Sequence, residues 1–462
     1  MMLKTQQLAE FIASYPRAGL PDDVVRLIKA AIIDYVGVTL AGATSSVFQK
    51  ALTLHSATEG PASIWVTGQS ASIPDAAFYN GIAAHSLELD DINTHMVAHP
   101  SNQLLPGLFA LAEAEGKSGC DLIRAYQVGF EVGIAIANQT HPVLIQRGWF
   151  PVGILGPVMQ AAACACLVEL NPRQTAHALG LAANTASGLR QNSGSEAKPI
   201  AAGHACASGV RASLLARAGI GASSTALEGR FGYLRLFGEV DPDGSGSSSA
   251  DAESMPLLNV EHFSLLESGL NFKPYPCCAA NHSAIDCILE ICSSHAVAVE
   301  EIAAIDVTIP ESARTILLHS NPSNADEARF SVEYCIAQAL LRREIGPAQF
   351  TDAEVKREPV RTLMQKVTRH YQPNSSSPGE LRRGHFPVTI ELTLTGGQVI
   401  SGNVDYAKGS AEKPLTDEQL EQKFITCATI HSNAQQISSL LAALKQIDQV
   451  SSLAEVLRLV RT

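Results

Sequence analysis

The sequence of 462 residues lacks several patterns that would point to a membrane, an export route or a nucleic acid. It contains no run of about eighteen apolar residues without charges, so no membrane-spanning helix is predicted. The start, Met1 to Gln7, has no apolar segment of the kind that export requires. No cluster of Lys and Arg offsets the net charge of -12, which argues against nucleic-acid binding. We therefore expect a soluble, cytoplasmic protein.

The ten cysteines also lack the spacing of a disulfide framework. They are scattered through apolar stretches, and no CxxC pair occurs. Cys277 and Cys278 are adjacent, unlike the spaced thiolates that hold an iron–sulfur cluster. We expect reduced thiols in the interior of an intracellular protein.

Apolar residues at helical spacing dominate the first part of the chain. The segments 22–41, 106–115, 121–138 and 157–170 show this period and are joined by Gly, Pro and Asn. Small residues within these helices favour close approach of the helix axes. Residues 1–265 are therefore predicted to form a helical domain, and the Gly- and Ser-rich stretch 241–249 is predicted to be a surface loop.

The pattern changes after residue 265. Segments 302–309, 388–394 and 398–404 alternate with period two and predict strands, the last two joined by a Gly-Gly turn. Helices are predicted at 331–341 and 352–367, so residues 266–407 should form a smaller α+β domain. Residues 408–462 are helical again and are expected to rejoin the first domain. The predicted fold is thus mostly α, with an α+β domain inserted into a helical domain formed by both chain ends.

Three acids and three histidines fall between His85 and His99, where an apolar helix predicted at 76–84 gives way to a loop. Asp90, Asp91, His95 and His99 are therefore candidate site residues. A metal centre is the alternative, because His95 and His99 would share one face of a helix. Pro100 argues that any helix has ended there, and no HExxH motif is present, so no metal site is predicted.

Two further segments carry polar residues suited to binding carboxylates. The Gly- and Ser-rich loop at 188–199 contains Arg190 and Lys198 and precedes a helix predicted to begin near Ile200. Backbone N–H groups at a helix start, together with these cations, form a carboxylate cradle. The other segment runs from Lys273 to His282, where a helix start would keep the His282 imidazole neutral and able to accept a proton.

Together these segments resemble the 2-methylcitrate dehydratase (MmgE/PrpD) family, which includes cis-aconitate decarboxylase and iminodisuccinate epimerase. The resemblance covers nearly the whole chain. The order and spacing of the similar stretches make it specific, and these stretches are 85–91, 99–101, Lys198-Pro199 with Gly203 and Gly209, 227–232, 273–282 and 327–331.

The resemblance implies an active site in the cleft between a helical and an α+β domain, no cofactor, and a homodimer. Carried over by position, Asp90, His99, Lys198 and His282 are candidate catalytic residues, with Asp91, His95, Arg190 and Lys273 as substrate-binding candidates. The implied chemistry is removal of a proton next to a carboxylate of a small polycarboxylic acid. That chemistry needs a tuned base, donors for the developing charge and cations for the other carboxylates.

Three functions remain open from the sequence. A lyase is the first, with dehydration placed before decarboxylation because His99 is present to protonate a leaving group. An epimerase is the second, because Phe150 stands where several family members have a histidine. A catalytically silent binding protein on the same fold is the third, and the presence of the Asp, His and Lys residues together argues against it.

Overall fold

The structure, a computed structural model, describes residues 4–56, 59–238, 258–374 and 385–461. The stretch 241–249, predicted to be a surface loop, lies outside these ranges. Within them, the helices preceding the smaller domain are α1 (Thr5–Ser14), α2 (Asp22–Gly42), α3 (Ser46–Leu52), α4 (Ile73–His85), α5 (Pro100–Glu115), α6 (Gly119–Thr140), α7 (Val143–Gln146), α8 (Pro151–Leu167), α9 (Pro172–Ala183), α10 (Ala197–Arg217), α11 (Tyr233–Phe237) and α12 (Ser264–Ser268).

The later elements include a small mixed sheet. They are α13 (His282–Ser294), α14 (Ala325–Ala328), α15 (Val332–Arg342), α16 (Asp352–Val355), α17 (Glu358–Met364), α18 (Asp417–Ala428), α19 (Ala434–Lys445) and α20 (Ala454–Val460), with β1 (Ala62–Ile64), β2 (Gln69–Ala71), β3 (Ile302–Pro310), β4 (Val367–Gln372), β5 (Val388–Leu394) and β6 (Val399–Val404). No helix in the described part of the chain has both the length and the apolar character needed to cross a bilayer.

The buried apolar residues form two main cores. One contains residues from Leu8 to Phe272 and resumes at Leu420, and the other runs from Tyr275 to Val404. The end of the chain therefore packs back onto the first helices. The prediction of a mostly α fold with a smaller inserted α+β part is confirmed, while the residue boundaries drawn from the sequence remain predictions.

Small residues allow the helices of the first core to approach closely. A Cβ atom at Gly203 of α10 would lie 2.6 Å from the carbonyl oxygen of Phe78 in α4. A Cβ atom at Gly37 of α2 would lie 3.1 Å from the Cα atom of Phe424 in α18. With glycine at these positions, α10 packs closely on α4 and α18 packs closely on α2.

The second core lies between the sheet and its helices. The strand order is β4-β3-β5-β6, with β3 parallel to β4 and antiparallel to β5, and β5 antiparallel to β6. Ile305, Val307 and Ile309 of β3 are buried, whereas the residues between them are partly exposed. This alternation places one face of the sheet on α13, as the period-two pattern predicts.

Some predicted boundaries were wrong, and proline explains most of them. The segment 352–367 is not one helix, because α16 ends at Val355 and a new helix begins at Glu358, just before Pro359. The following strand β4 was missed, since its polar residues leave no strong apolar alternation. The helices predicted to begin at Pro106 and Pro157 begin at Pro100 and Pro151 instead, and the later prolines lie inside them.

Candidate active site

The polar cluster predicted from the sequence lies between two helix ends. His85 is the last residue of α4, and His99 is the N-cap residue of α5. The intervening residues 86–98 are called the acid loop. Both histidines are buried, at 1% and 6% exposure. The helix ends therefore fix the two imidazoles on either side of the acid loop.

The two imidazoles share one carboxylate oxygen. His85 Nδ1 lies 2.7 Å from Asp90 Oδ2, and His99 Nδ1 lies 3.2 Å from the same atom. The ring centroids are 4.5 Å apart with an edge-to-face angle of 74°. His99 Nδ1 also lies 2.9 Å from the carbonyl oxygen of Asp91. We call His85, Asp90 and His99 the imidazole–carboxylate cluster.

The partners of the cluster determine its protonation. Burial alone would raise the pKa of Asp90, but the two imidazoles hold it well below its usual range, so the carboxylate is ionised. Because Asp90 and the Asp91 carbonyl only accept, Nδ1 of each imidazole must donate. Nε2 is then the atom that can accept a proton, and in the described structure His85 Nε2 has no hydrogen-bond partner. Burial lowers the pKa of His99 to about 4, against the attraction of Asp90, so this ring is neutral at pH 7.

Two buried lysines meet at Glu88 beside this cluster. Lys198, in the first turn of α10, pairs with Glu88 Oε1, and Lys273 Nζ lies 3.3 Å from Glu88 Oε2. Lys273 Nζ also lies 3.8 Å from Asp90 Oδ1. Burial opposes the ionisation of Glu88, but Lys198 and then Lys273 lower its pKa below its usual range. Burial likewise works against the charge on Lys273, and Glu88 and Asp90 more than offset it, so its pKa is raised.

Aromatic rings flank the Lys198 ammonium group. Its Nζ lies 5.7 Å from the ring centroid of Phe150 and 5.4 Å from that of Phe330. Phe150 is the N-cap residue of α8, and its ring centroid is 6.4 Å from that of His85. Phe150 therefore supplies an apolar surface next to the imidazole–carboxylate cluster.

The structure brings four of the candidate residues, Asp90, His99, Lys198 and Lys273, into one group. His282 is buried at the start of α13, where its Nε2 lies 3.2 Å from the Cys277 carbonyl oxygen and its ring contacts Tyr275. A catalytic role for His282 stays a prediction.

Arg329 joins the acid loop to the turn before His282. Its guanidinium donates to the carbonyl oxygens of Leu87 at 2.8 Å and Pro276 at 2.6 Å. Its own carbonyl oxygen accepts from the Cys278 N–H at 3.0 Å and from the Asn281 side chain at 3.0 Å. The smaller domain is thereby attached to the acid loop one residue before Glu88.

The other predicted substrate-binding residues make internal contacts. Asp91 accepts hydrogen bonds from the backbone N–H and the hydroxyl of Ser101, and burial raises its pKa to about 7. His95 Nε2 lies 2.7 Å from Asn138 Oδ1. Arg190 donates to the carbonyl oxygens of Ile145 and Thr315, at 3.0 and 2.9 Å. Substrate contacts by these three residues stay predictions.

The alternative metal centre in this region would have His95 as a ligand. Among the described residues, the group whose ligand atoms converge is His85, Asp90 and His99, within 4.8 Å of one another. His95 is not in that group. Both Nδ1 atoms already donate to Asp90 Oδ2, so an ion that used these three atoms would have to replace both hydrogen bonds.

Comparison with known proteins gives the family. The MmgE/PrpD N-terminal domain matches residues 6–243, and the MmgE/PrpD C-terminal domain matches residues 275–446. The chain belongs to the MmgE/PrpD family. The resemblance inferred from the sequence is therefore confirmed.

Several similar proteins are named cis-aconitate decarboxylase. The chain is 27% identical to the cis-aconitate decarboxylase of Mus musculus, over 100% of this chain and 94% of that protein. It is 27% identical to the cis-aconitate decarboxylase of Homo sapiens, over 97% and 93% of the two chains. It is 25% identical to that of Aspergillus terreus, over 98% and 95%.

Four residues of this site were not selected from the sequence as site residues: His85, Glu88, Phe330 and Arg329. Glu88 and His85 belong to the same polar cluster as Asp90, so the density of acids and histidines was the available signal. Phe330 and Arg329 lie in the family-like stretch 327–331, which offered only that hint.

Proposed function

We propose that this MmgE/PrpD protein is a lyase that acts on a small di- or tricarboxylic acid through a carbanion next to a carboxylate. The observation that carries the proposal is the imidazole–carboxylate cluster placed beside two buried lysines. The named relatives favour decarboxylation of an acid such as cis-aconitate over the dehydration expected from the family resemblance alone.

The lysines suit the binding of a polyanion. Lys198 and Lys273 balance Glu88 and Asp90 in the free protein, so the group is close to neutral before substrate enters. A substrate carboxylate that reaches Lys198 would share it with Glu88. In a buried site, such a charge contact also stabilises negative charge that develops on the neighbouring carbon and its carboxylate.

His99 suits the movement of the proton. Its neutral ring presents Nε2 as the basic atom, and the ionised Asp90 stabilises the imidazolium that forms when Nε2 takes a proton. In dehydration, His99 would remove the proton from carbon. In decarboxylation, the electron pair of the broken carbon–carbon bond stays on the substrate as carbon dioxide leaves, and His99, after taking up a proton from solvent at Nε2, would donate that proton to the substrate carbon.

An epimerase of the iminodisuccinate type is the second candidate, and Phe150 favours it. This ring lies against Lys198 and His85 and supplies no proton for a leaving hydroxide. Epimerisation requires only removal of a proton and its return to the opposite face. A catalytically silent protein would not need the imidazole–carboxylate cluster next to two buried lysines.

The deciding experiment is incubation with cis-aconitate, 2-methylcitrate, citrate and iminodisuccinate in deuterated water, followed by proton NMR. Loss of carbon dioxide with a new alkene methylene signal supports a decarboxylase, and a new alkene signal from a hydroxy acid supports a dehydratase. Deuterium exchange without net loss supports an epimerase. Inertness toward all four acids, in protein whose fold is verified by circular dichroism, would contradict the proposal. The Asp90→Asn variant is the matched control.

We also propose a cytoplasmic homodimer with the domain limits 1–265, 266–407 and 408–462. Support for association comes from exposed apolar side chains such as Phe231, which is 82% exposed. Sedimentation velocity of the purified chain tests the dimer, and a monomer at micromolar concentration would contradict it.

A further inference from the structure

The acid loop rests on a lysine from near the end of the chain. Lys423 of α18 donates from Nζ to the carbonyl oxygen of Leu89 at 2.8 Å, across 334 residues of sequence. The same Nζ lies 2.5 Å from Asp34 Oδ1 of α2. The side chains of Lys423 and Asp34 are only 9% and 2% exposed. This charge pair is therefore buried directly beneath the acid loop.

Successive residues of the acid loop, from Leu87 to Asp90, alternate between an apolar and a charged environment. Leu87 and Leu89 pack with Val38 and Ala41 of α2 and with Cys427 of α18 in a small apolar cluster. Glu88 and Asp90 hold the lysines and the imidazoles. The helices α2 and α18 thus pack against one side of the loop. The Lys423 ammonium group of α18 makes a polar contact with the loop backbone.

Glu88, which directly precedes Leu89, has an unusual backbone conformation. Its backbone has φ of +53°, a conformation that a non-glycine residue adopts only when its surroundings hold it. Arg329 holds the Leu87 carbonyl before it, and Lys423 holds the Leu89 carbonyl after it. Two buried cations from different segments therefore hold the carbonyls on either side of the strained residue.

A purely packing role does not require the charge. Apolar residues of similar volume often replace a buried ion pair without loss of stability, because desolvation cancels much of the attraction. Here the ammonium group also satisfies one backbone carbonyl in the loop that carries two carboxylates of the site. Burial raises the pKa of the Asp34 carboxyl against the attraction of Lys423, and the charges of Asp90 and Lys273 have smaller effects on it.

We propose that Lys423, with Asp34, is a positioning residue of the active site. By fixing the Leu89 carbonyl, it fixes the directions in which Glu88 and Asp90 leave the loop. The alignment of Asp90 with the imidazoles and of Glu88 with the lysines then depends on a residue that touches none of them. The effect on turnover rests on the proposed function, whereas the effect on the hydrogen bonds of the histidines does not.

The test compares Lys423→Met with Lys445→Met. Methionine keeps the length of the lysine stem and removes the charge. Lys445, in the next helix, forms an exposed pair with Glu421 at 2.6 Å and serves as the matched control. Three measurements are made on each protein: unfolding in urea, ring nitrogen NMR shifts of His85 and His99 at neutral pH, and kcat and KM for whichever acid turns over.

In Lys423→Met we expect the ring nitrogen shifts to change, because the Nδ1–H bonds to Asp90 are disturbed. We expect kcat to fall by about 10- to 100-fold, the size of effect that a misplacement near 1 Å produces, with a smaller change in KM. Lys423→Arg should restore part of the turnover, and Lys445→Met should match the unmodified protein in all three measurements.

Unchanged ring nitrogen shifts and unchanged kcat in folded Lys423→Met would overturn the proposal and leave Lys423 a purely structural role. If that variant does not fold, Asp34→Asn replaces it, since it keeps the lysine and its bond to Leu89 while removing the countercharge. Shifts and kcat equal to those of the unmodified protein in Asp34→Asn would then exclude Asp34 from positioning. If no acid turns over, the proposed function fails while the NMR comparison still decides the role of Lys423.

Discussion

Lys198 pairs with Glu88 across 110 residues of sequence, with both side chains buried. The ammonium group proposed to bind substrate is thus already matched by a carboxylate of the protein. A substrate carboxylate has to compete with Glu88 for this cation, and the strength of the pair sets how much of the binding energy remains.

The first prediction concerns this lysine. Lys198→Ala should lower affinity and reduce turnover by about 100-fold or more, since a charge contact in a buried site contributes most as the carbanion forms. Lys198→Arg should recover only part, because a planar guanidinium cannot occupy the position of an ammonium group. Steady-state kinetics check both, with exposed Lys50, which pairs with Glu196, mutated to Ala as the control. Near-normal turnover in Lys198→Ala would leave the cation to another residue, Lys273 being the next candidate.

The second prediction concerns the pH dependence of activity. If the reaction begins with removal of a proton from carbon, as in dehydration or epimerisation, His99 must be neutral; because its pKa is about 4, kcat/KM should then be level near neutral pH and fall as the pH drops through about 4. Asp90→Asn should lower turnover by about 100-fold or more, because an amide no longer stabilises the imidazolium. A pH–rate profile measured where the protein stays folded checks this. A rate that instead rises as His99 becomes protonated would assign it the acid role from the start.

The third prediction concerns stability. Burial raises the pKa of Glu131 in α6 to about 7, while its side chain accepts from the Ser264 N–H at 2.8 Å. The folded protein therefore binds this proton more tightly than the unfolded chain. The resulting stability is present below the unfolded pKa of about 4.5 and is lost as the pH rises through about 7.

Glu131→Gln should remove this pH dependence, which amounts to roughly 3 kcal/mol. Urea unfolding of the unmodified protein and the variant at pH 5 and pH 8 measures it. Asp91, whose pKa is also raised to about 7, should leave a residual slope of the same sign. Parallel pH dependences in the two proteins would mean that Glu131 does not titrate in this range.

The fourth prediction is that turnover survives exhaustive chelation. In the described structure the imidazole–carboxylate cluster is held by its own hydrogen bonds and by Lys273, whose positive charge opposes a cation there. Activity assays before and after dialysis against EDTA test this. Lost turnover that zinc or manganese restores would contradict this prediction and make His85, Asp90 and His99 the first ligands to examine.

Local patterns predicted the elements and the position of the polar cluster, but not how distant segments meet. Helix 22–41 was recognisable because its apolar period begins after Pro21 with two acidic residues, and the structure extends it by one residue. The pairing of Glu88 with Lys198 and Lys273 was not visible, because those contacts span 110 and 185 residues and depend on how helices pack. For the same reason the sequence did not show that His95, which is four residues from His99, contacts Asn138.

Helix α18 completes the first core, and this affects how the chain folds during synthesis. Helix α2 emerges from the ribosome nearly 400 residues before α18, whose Phe424 covers Gly37. Throughout synthesis of the α+β part, the groove that receives α18 is therefore uncovered, and Asp34 has no ammonium partner from Lys423. Domains generally fold as units during synthesis, but the core of this helical domain can be completed only after its last helices have been synthesised. A chain stopped before residue 417 should consequently be a substrate for chaperones and proteases rather than a smaller working protein.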